Sequence, residues 1–222
     1  MTPLEGKITE LKAQLFTMAG IVEEMVENSI KALVNRDAAL VEQVTGAAEN
    51  RVNHFEIENE DAAINLMALY QPEASNLRTL VMVTKVNNDL ERIGDHAVNI
   101  AESAQFLMTR PPVKQLIDIP QMAEHAIAML RDSLDAFTQM DAALARDVCG
   151  RDSVVDDLNR KIKAELKSHM ARDPETIDRA LMLLMVSLNL ERVADLATNI
   201  SEDVIYIVTG EVIKHGKGLP AE

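Results

Sequence analysis

The sequence predicts an all-α protein: two tandem three-helix bundles of long antiparallel helices, related by a pseudo-two-fold duplication. Three observations carry this expectation. Residues 90–102, LERIGDHAVNIAE, return at 190–202 as LERVADLATNISE, with eight of thirteen positions identical. Hydrophobic residues make up 47% of the 222-residue chain but aromatics only 3%, with 12 Met and no Trp, so the core is aliphatic. Such a mix, poor in Gly and Pro, suits packed helices rather than sheets. Apolar residues also recur at alternating three- and four-residue spacing over long stretches.

The elements follow in order. Residues 8–32 carry a heptad-like stripe of Ile8, Leu11, Leu15, Met18, Val22, Met25, Ser29 and Ala32, the seam of a long first helix. Asn35, Arg36 and Asp37 break it, and Asp37 is a good N-cap for a second helix running to about Tyr70. Gly46 weakens that helix without ending it. Gln71, Pro72, Glu73 and Ala74 form a turn, after which Ser75 caps a third helix through Met108. Thr109, Arg110, Pro111 and Pro112 are the clearest break and divide the chain into halves, 1–110 and 111–222.

The second half repeats the plan. Pro120 marks a helix start, and Met122, Ala126, Met129, Leu130, Leu134 and Phe137 form its apolar face. DAAL at 141–144 copies DAAL at 37–40, so Asp141 is the matching cap of a fifth helix to about Met170. Asp173 followed by Pro174 starts the sixth, which runs from 174 to about 209. Residues 181–190 are apolar nearly all round, which predicts the most buried helix of its half. Residues 215–222 are Gly-rich and predicted to fray.

The totals exclude several classes. A net charge of −14 argues against nucleic acid and anionic lipid as main partners and suits a cation or a basic protein surface. Cys149 is the only cysteine, so no disulfide forms within the chain, which fits a reducing cytosol; it reads as a small core residue. The N-terminus lacks the features of a signal peptide, and the longest apolar run, residues 180–186, is far short of a membrane span. The expectation is a soluble cytoplasmic protein with no membrane insertion.

The repeated stretch also carries chemistry. Glu91, Asp95, Asn99 and Glu102 stack along one helical strip beside the apolar side, and Glu191, Asp195, Asn199 and Glu202 repeat it. Two readings fit: a solvated acidic face in which Arg92 pairs with Asp95, or a seat for a cation. On spacing alone the solvated face leads, and building the same self-repelling strip twice narrows that lead. Asp152 and Asp156 stand four apart on the middle helix of the second half, and Glu49 and Asn53 are their counterparts in the first. If the helices face each other, four or more oxygen groups converge in each half. All these candidates are hard oxygens, suited to Mg, Mn, Ca or ferric iron, with zinc held by carboxylates alone. His96 and His54 point away and read as surface or outer residues; His125, His169 and His215 have no metal spacing.

Taken together, the LERIGD and LERVAD stretches, each with Asn four residues after the Asp, and the turn QPEASNLR at 71–78 resemble the PhoU family of phosphate-uptake regulators over almost the full length. The resemblance implies a PhoU-like, spectrin-repeat-like fold and a cytoplasmic, non-enzymatic regulator, often a homodimer. It implies an accessory of the phosphate-specific ABC transporter that acts with a membrane sensor histidine kinase to repress phosphate-starvation genes. It also implies metal ions, iron among them, on Glu91/Asp95 and Glu191/Asp195, with Glu49/Asn53 and Asp152/Asp156 as companion motifs. Asn53 departs from the family's acid, so the metal reading leads in the second half and stands level with the solvated face in the first. A metal-free structural bundle is the alternative. A carboxylate di-metal oxidase fits poorly, because no His has a Glu three residues before it. Gly216, Lys217 and Gly218 are too short a stretch to cradle a phosphate.

Overall fold

The computed structural model describes residues 2–210, which are helices and connecting turns with no strand among them. Helix α1 (Pro3–Asn35) opens on a capping box: the Glu5 N–H donates to Thr2 Oγ1 at 3.2 Å and the Thr2 N–H to Glu5 Oε2 at 2.7 Å. Every residue of the expected stripe, from Ile8 to Ala32, is buried. The helix ends on Arg36 in the left-handed region.

Asp37 caps the next segment as expected, accepting from the Ala39 N–H at 2.9 Å. The segment is not the single expected helix. α2 (Ala38–Glu42) passes into one π-helical stretch, Gln43–Ala48, before α3 (Glu49–Tyr70). Gly46, expected only to weaken a regular helix, lies inside the wider turn. α4 (Ala74–Met108) follows the turn at Gln71. Its capping position is Glu73, not Ser75; the helix begins two residues earlier, and the Ser75 carbonyl instead accepts from the Thr79 hydroxyl at 3.0 Å.

α5 (Asp118–Gln139) starts two residues before Pro120, which sits in the first turn where a missing N–H forfeits no intrahelical bond. Its expected apolar face is buried throughout. Asp141 caps α6 (Ala142–Arg172), accepting from Ala143 and Leu144 at 2.8 and 3.1 Å. Asp173 caps a single 3-10 turn, Pro174–Thr176, and α7 (Ile177–Thr209) begins after it and stops at Gly210 with φ 77°. Residues 181–190 are not enclosed all round: Leu181 and Met185 are 41% and 46% exposed. α7 packs against α4, α5 and α6, and its remaining side stays open.

α1, α3 and α4 pack together, as do α5, α6 and α7, giving two three-helix bundles. α4 and α7 then lie antiparallel along each other, held by Lys85 with Asp203 at 3.0 Å and by His96 Nδ1 with Asn189 Oδ1 at 2.8 Å. α1 lies along α5, where the Phe16 and Phe137 rings meet at 6.2 Å. The buried side chains of both halves form one continuous core. The turn between halves is pinned from both sides: Arg36 donates to the Arg110 carbonyl at 2.9 Å and Arg179 to that of Pro111 at 2.7 Å. Cys149 is half-buried against the core, and burial pushes its thiol up to about 11. No described helix is long and apolar enough to cross a membrane. His215, the three residues Gly216, Lys217 and Gly218, and the expected frayed tail lie outside the described residues.

Candidate functional site

The site is set by how the middle helix of each bundle registers on the last. In the first bundle Asn59 of α3 is fully buried and donates through Nδ2 to Asn87 Oδ1 of α4 at 3.0 Å, 3.9 Å from the Met18 sulfur. In the second, Ser187 of α7 donates to Asn159 Oδ1 of α6 at 2.6 Å, beside the Met122 sulfur. Asn59 therefore corresponds to Asn159, with the same separation as the repeated stretch.

In the second half this register lays Asp152 and Asp156 against the α7 strip. Asp152 is half-buried, and burial followed by the charges of Asp156, Asp195, Glu191 and Glu202 pushes its carboxyl up to about 6. Asp195 is raised as well, by burial first and then by Glu191 and Asp156, against the pull of Arg192. Arg192 Nη1 donates to Asp195 Oδ2 at 2.9 Å, and Lys163 stands 3.9 Å from Glu191. Asn199 is exposed, whereas Glu202, the last acid of the expected strip, belongs to this field. Its signal was present in the repeat, where Glu102 and Glu202 are identical.

The first half is looser. Glu91 is raised by burial, then by Asp95 and by Glu56 of α3, a residue absent from the expected set. The expected counterparts of Asp152 and Asp156 were Glu49 and Asn53. The Asn59 register places Val52 and Glu56 there instead, with half-buried Glu49 and exposed Asn53 about a turn nearer the start of α3. The reason lies upstream. From cap to buried Asn, the first half (Asp37 to Asn59) is four residues longer than the second (Asp141 to Asn159), and the wide turn at Gln43–Ala48 takes up the excess over one regular turn. α3 also approaches α4 closely at Gly94, where an added Cβ would meet Val52 Cγ1 at 3.3 Å.

The ion pair expected between Arg92 and Asp95 is also different: Arg92 reaches back to Asp89 at 3.5 Å. Asp95 and Asn99 are exposed. His96 faces Asn189 across the two halves, and His54 pairs with Glu58 at 3.1 Å. Among the described residues no three Asp, Glu, His or Cys side chains are gathered so as to hold a metal ion. The α6/α7 acids are thus close enough to raise one another without forming a closed cage. Their chemistry is that of hard oxygen donors with excess negative charge, which fits a hard cation.

The protein-family model described as "PhoU domain" matches this chain twice, at residues 15–104 and 119–204. A "phosphate-specific transport system accessory protein PhoU homolog" from Aquifex aeolicus is 38% identical over 94% of this chain and 94% of its own. The crystal structure of PhoU from Pseudomonas aeruginosa superposes with a TM-score of 0.90 at 32% identity, covering 93% of this chain and 99% of that one. That of the phosphate transport system regulatory protein PhoU from Streptococcus pneumoniae gives 0.85 at 26% identity, over 94% and 98%. Doubled family domain, acidic helix faces and shared fold lead to one assignment: the chain belongs to the PhoU family.

Proposed function

We propose that this chain is an accessory regulator of phosphate-specific transport, an adaptor that works by binding and not by catalysis. In this reading it acts in the cytoplasm as a homodimer and modulates the phosphate-specific ABC transporter. Together with a membrane sensor histidine kinase, it represses the phosphate-starvation response. Similarity to PhoU proteins along nearly the whole chain supports the transport role.

The observation that carries the site is the crowding of Asp152, Asp156, Glu191, Asp195 and Glu202 on one α6/α7 face, with Asp152 pushed up to about 6. Half-buried like charges gain most from a counter-ion. Asp152, Asp156, Glu191 and Asp195 would hold it, with Asn199 at the edge. Iron, Mg or Mn suits these oxygens, and Zn is the less typical fit. The bound cation supplies positive charge that neutralises the face. The chain's own carboxylates would orient it, and Arg192 would compete with it for Asp195. In the first half Glu91 and Asp95 with Glu56 form the weaker counterpart.

A metal-free face is the second reading, favoured by the Arg192–Asp195 pair, which already offsets one carboxylate. Metal content of protein purified without an affinity tag separates the two. Stoichiometric metal, lowered by Asp195→Ala, supports the first; none after loading with iron, manganese and zinc leaves the second. The regulatory role is tested by a phosphate-starvation reporter in a deletion strain. Expression rises at high phosphate if the reading holds, and unchanged repression overturns it.

A further inference from the structure

We infer that the groove between α1 and α5 docks an amphipathic helix of a partner protein, apolar along one side and basic at its flanks. The inference rests on the adaptor reading above, since an adaptor needs a surface for the protein it regulates. Four helices, α1, α4, α7 and α5, ring the join between the halves, and α1 with α5 is its loosest side. Two hollows open there, of about 350 and about 340 Å³. Arg131 lines both, and its ion pair with Glu23 crosses between the helices.

The lining is apolar where a helix would press. Half-buried Ile127 lines one hollow and half-buried Phe16 the other, each over a buried core residue, Ile30 and Leu134. Gly20 lines the second, and a Cβ built on it meets nothing within 4 Å, so backbone can come close there. The rim is acidic. Glu27 is paired with Lys31 at 2.9 Å and Glu23 with Arg131, but Glu124 and Asp135 have no partner among the described residues. They lie eleven residues apart on α5, about three turns or roughly 16 Å on the same side of the helix. The complementary surface is a helix with Lys or Arg about three turns apart and an apolar stripe between them. An anionic lipid surface or a nucleic acid would meet those two carboxylates with like charge.

The test is a synthetic peptide of about five helical turns, with two lysines about three turns apart flanking a Leu/Ala stripe. It is titrated into the full chain by fluorescence anisotropy, beside a scrambled peptide and one carrying Glu for Lys. Saturable binding that weakens about tenfold or more in Gly20→Trp supports the proposal. So does a switch of preference to the Glu peptide in the double variant Glu124→Lys/Asp135→Lys. No saturable binding, equal binding of the scrambled peptide, or unchanged affinity in both variants overturns it. If Gly20→Trp fails to fold by circular dichroism, the charge-reversed variant decides alone. A failed titration with a derepressed deletion strain removes only the groove. A deletion strain that stays repressed removes the regulatory reading whatever the peptide does.

Discussion

Asn59 Nδ2 donates to Asn87 Oδ1 across 3.0 Å in the centre of the first bundle, while Asn59 Oδ1 is buried and finds no partner among the described residues. A buried amide pair of this kind adds little net stability, but it fixes which turn of α3 faces which turn of α4. That register brings Glu56 toward Glu91. Asn87→Leu should cost about 1–3 kcal/mol, because it strands a buried amide, whereas Asn59→Leu/Asn87→Leu should recover most of the loss. A urea double-mutant cycle measures this; additive losses would argue against a direct pair.

Asp152 lends a pH dependence of uncommon sign. Its carboxyl is raised from 3.8 to about 6, so between these values the folded chain binds the proton more readily than the unfolded one. Stability from this group therefore falls as pH rises from about 4 through about 6, and stays lower above. Asp152→Asn should stabilise metal-free protein at pH 7 by about 1 kcal/mol after solvent screening. That corresponds to about 2–4 °C in Tm. The gain should vanish below pH 4, and thermal melts across this range check it.

Asp118 runs the other way. Lys161 donates to it at 2.8 Å and holds its carboxyl below the usual range, with Lys114 adding to the pull. A lowered acid contributes stability above its unfolded value, lost as pH falls through the folded one. Asp118→Asn should destabilise at pH 7 and match wild type in strong acid. Equal melting of the two at pH 7 would refute the pairing.

Gly94 stands where the repeat has Ala194, and Val52 is the neighbour that a side chain would meet. Gly94→Leu should push α3 off α4 and cost about 1–3 kcal/mol. Gly94→Ala should change stability little, since a helix-propensity gain of about 1 kcal/mol offsets the tight contact. Chemical denaturation of the pair distinguishes crowding from a general intolerance of change.

For the acidic faces, Asp152→Asn/Asp156→Asn should remove metal from the second half and spare any in the first. Glu91→Gln should do the reverse. Metal stoichiometry in the two variants reads each face separately, and equal loss in both would mean one shared site.

Most helix positions, the three Asp caps and the buried stripe were legible in the sequence because each depends on neighbours within one or two turns, whereas the Ser75 cap and an unbroken helix to Tyr70 were not found. Ile8 to Ala32 repeats with the helical period, and Asp37, Asp141 and Asp173 accept from backbone N–H groups two or three residues on. The duplication made the acidic strips visible for the same reason. Tertiary packing decided the rest. A π turn at Gln43–Ala48 shifted α3, so Glu56 rather than Asn53 came to oppose Glu91. Arg92 turned to Asp89 while Arg192 kept Asp195. The open side of α7 and the groove between α1 and α5 arose only when two bundles shared one core. Local spacing tells which residues share a face; which face meets which is fixed by a few buried contacts between helices far apart in the chain.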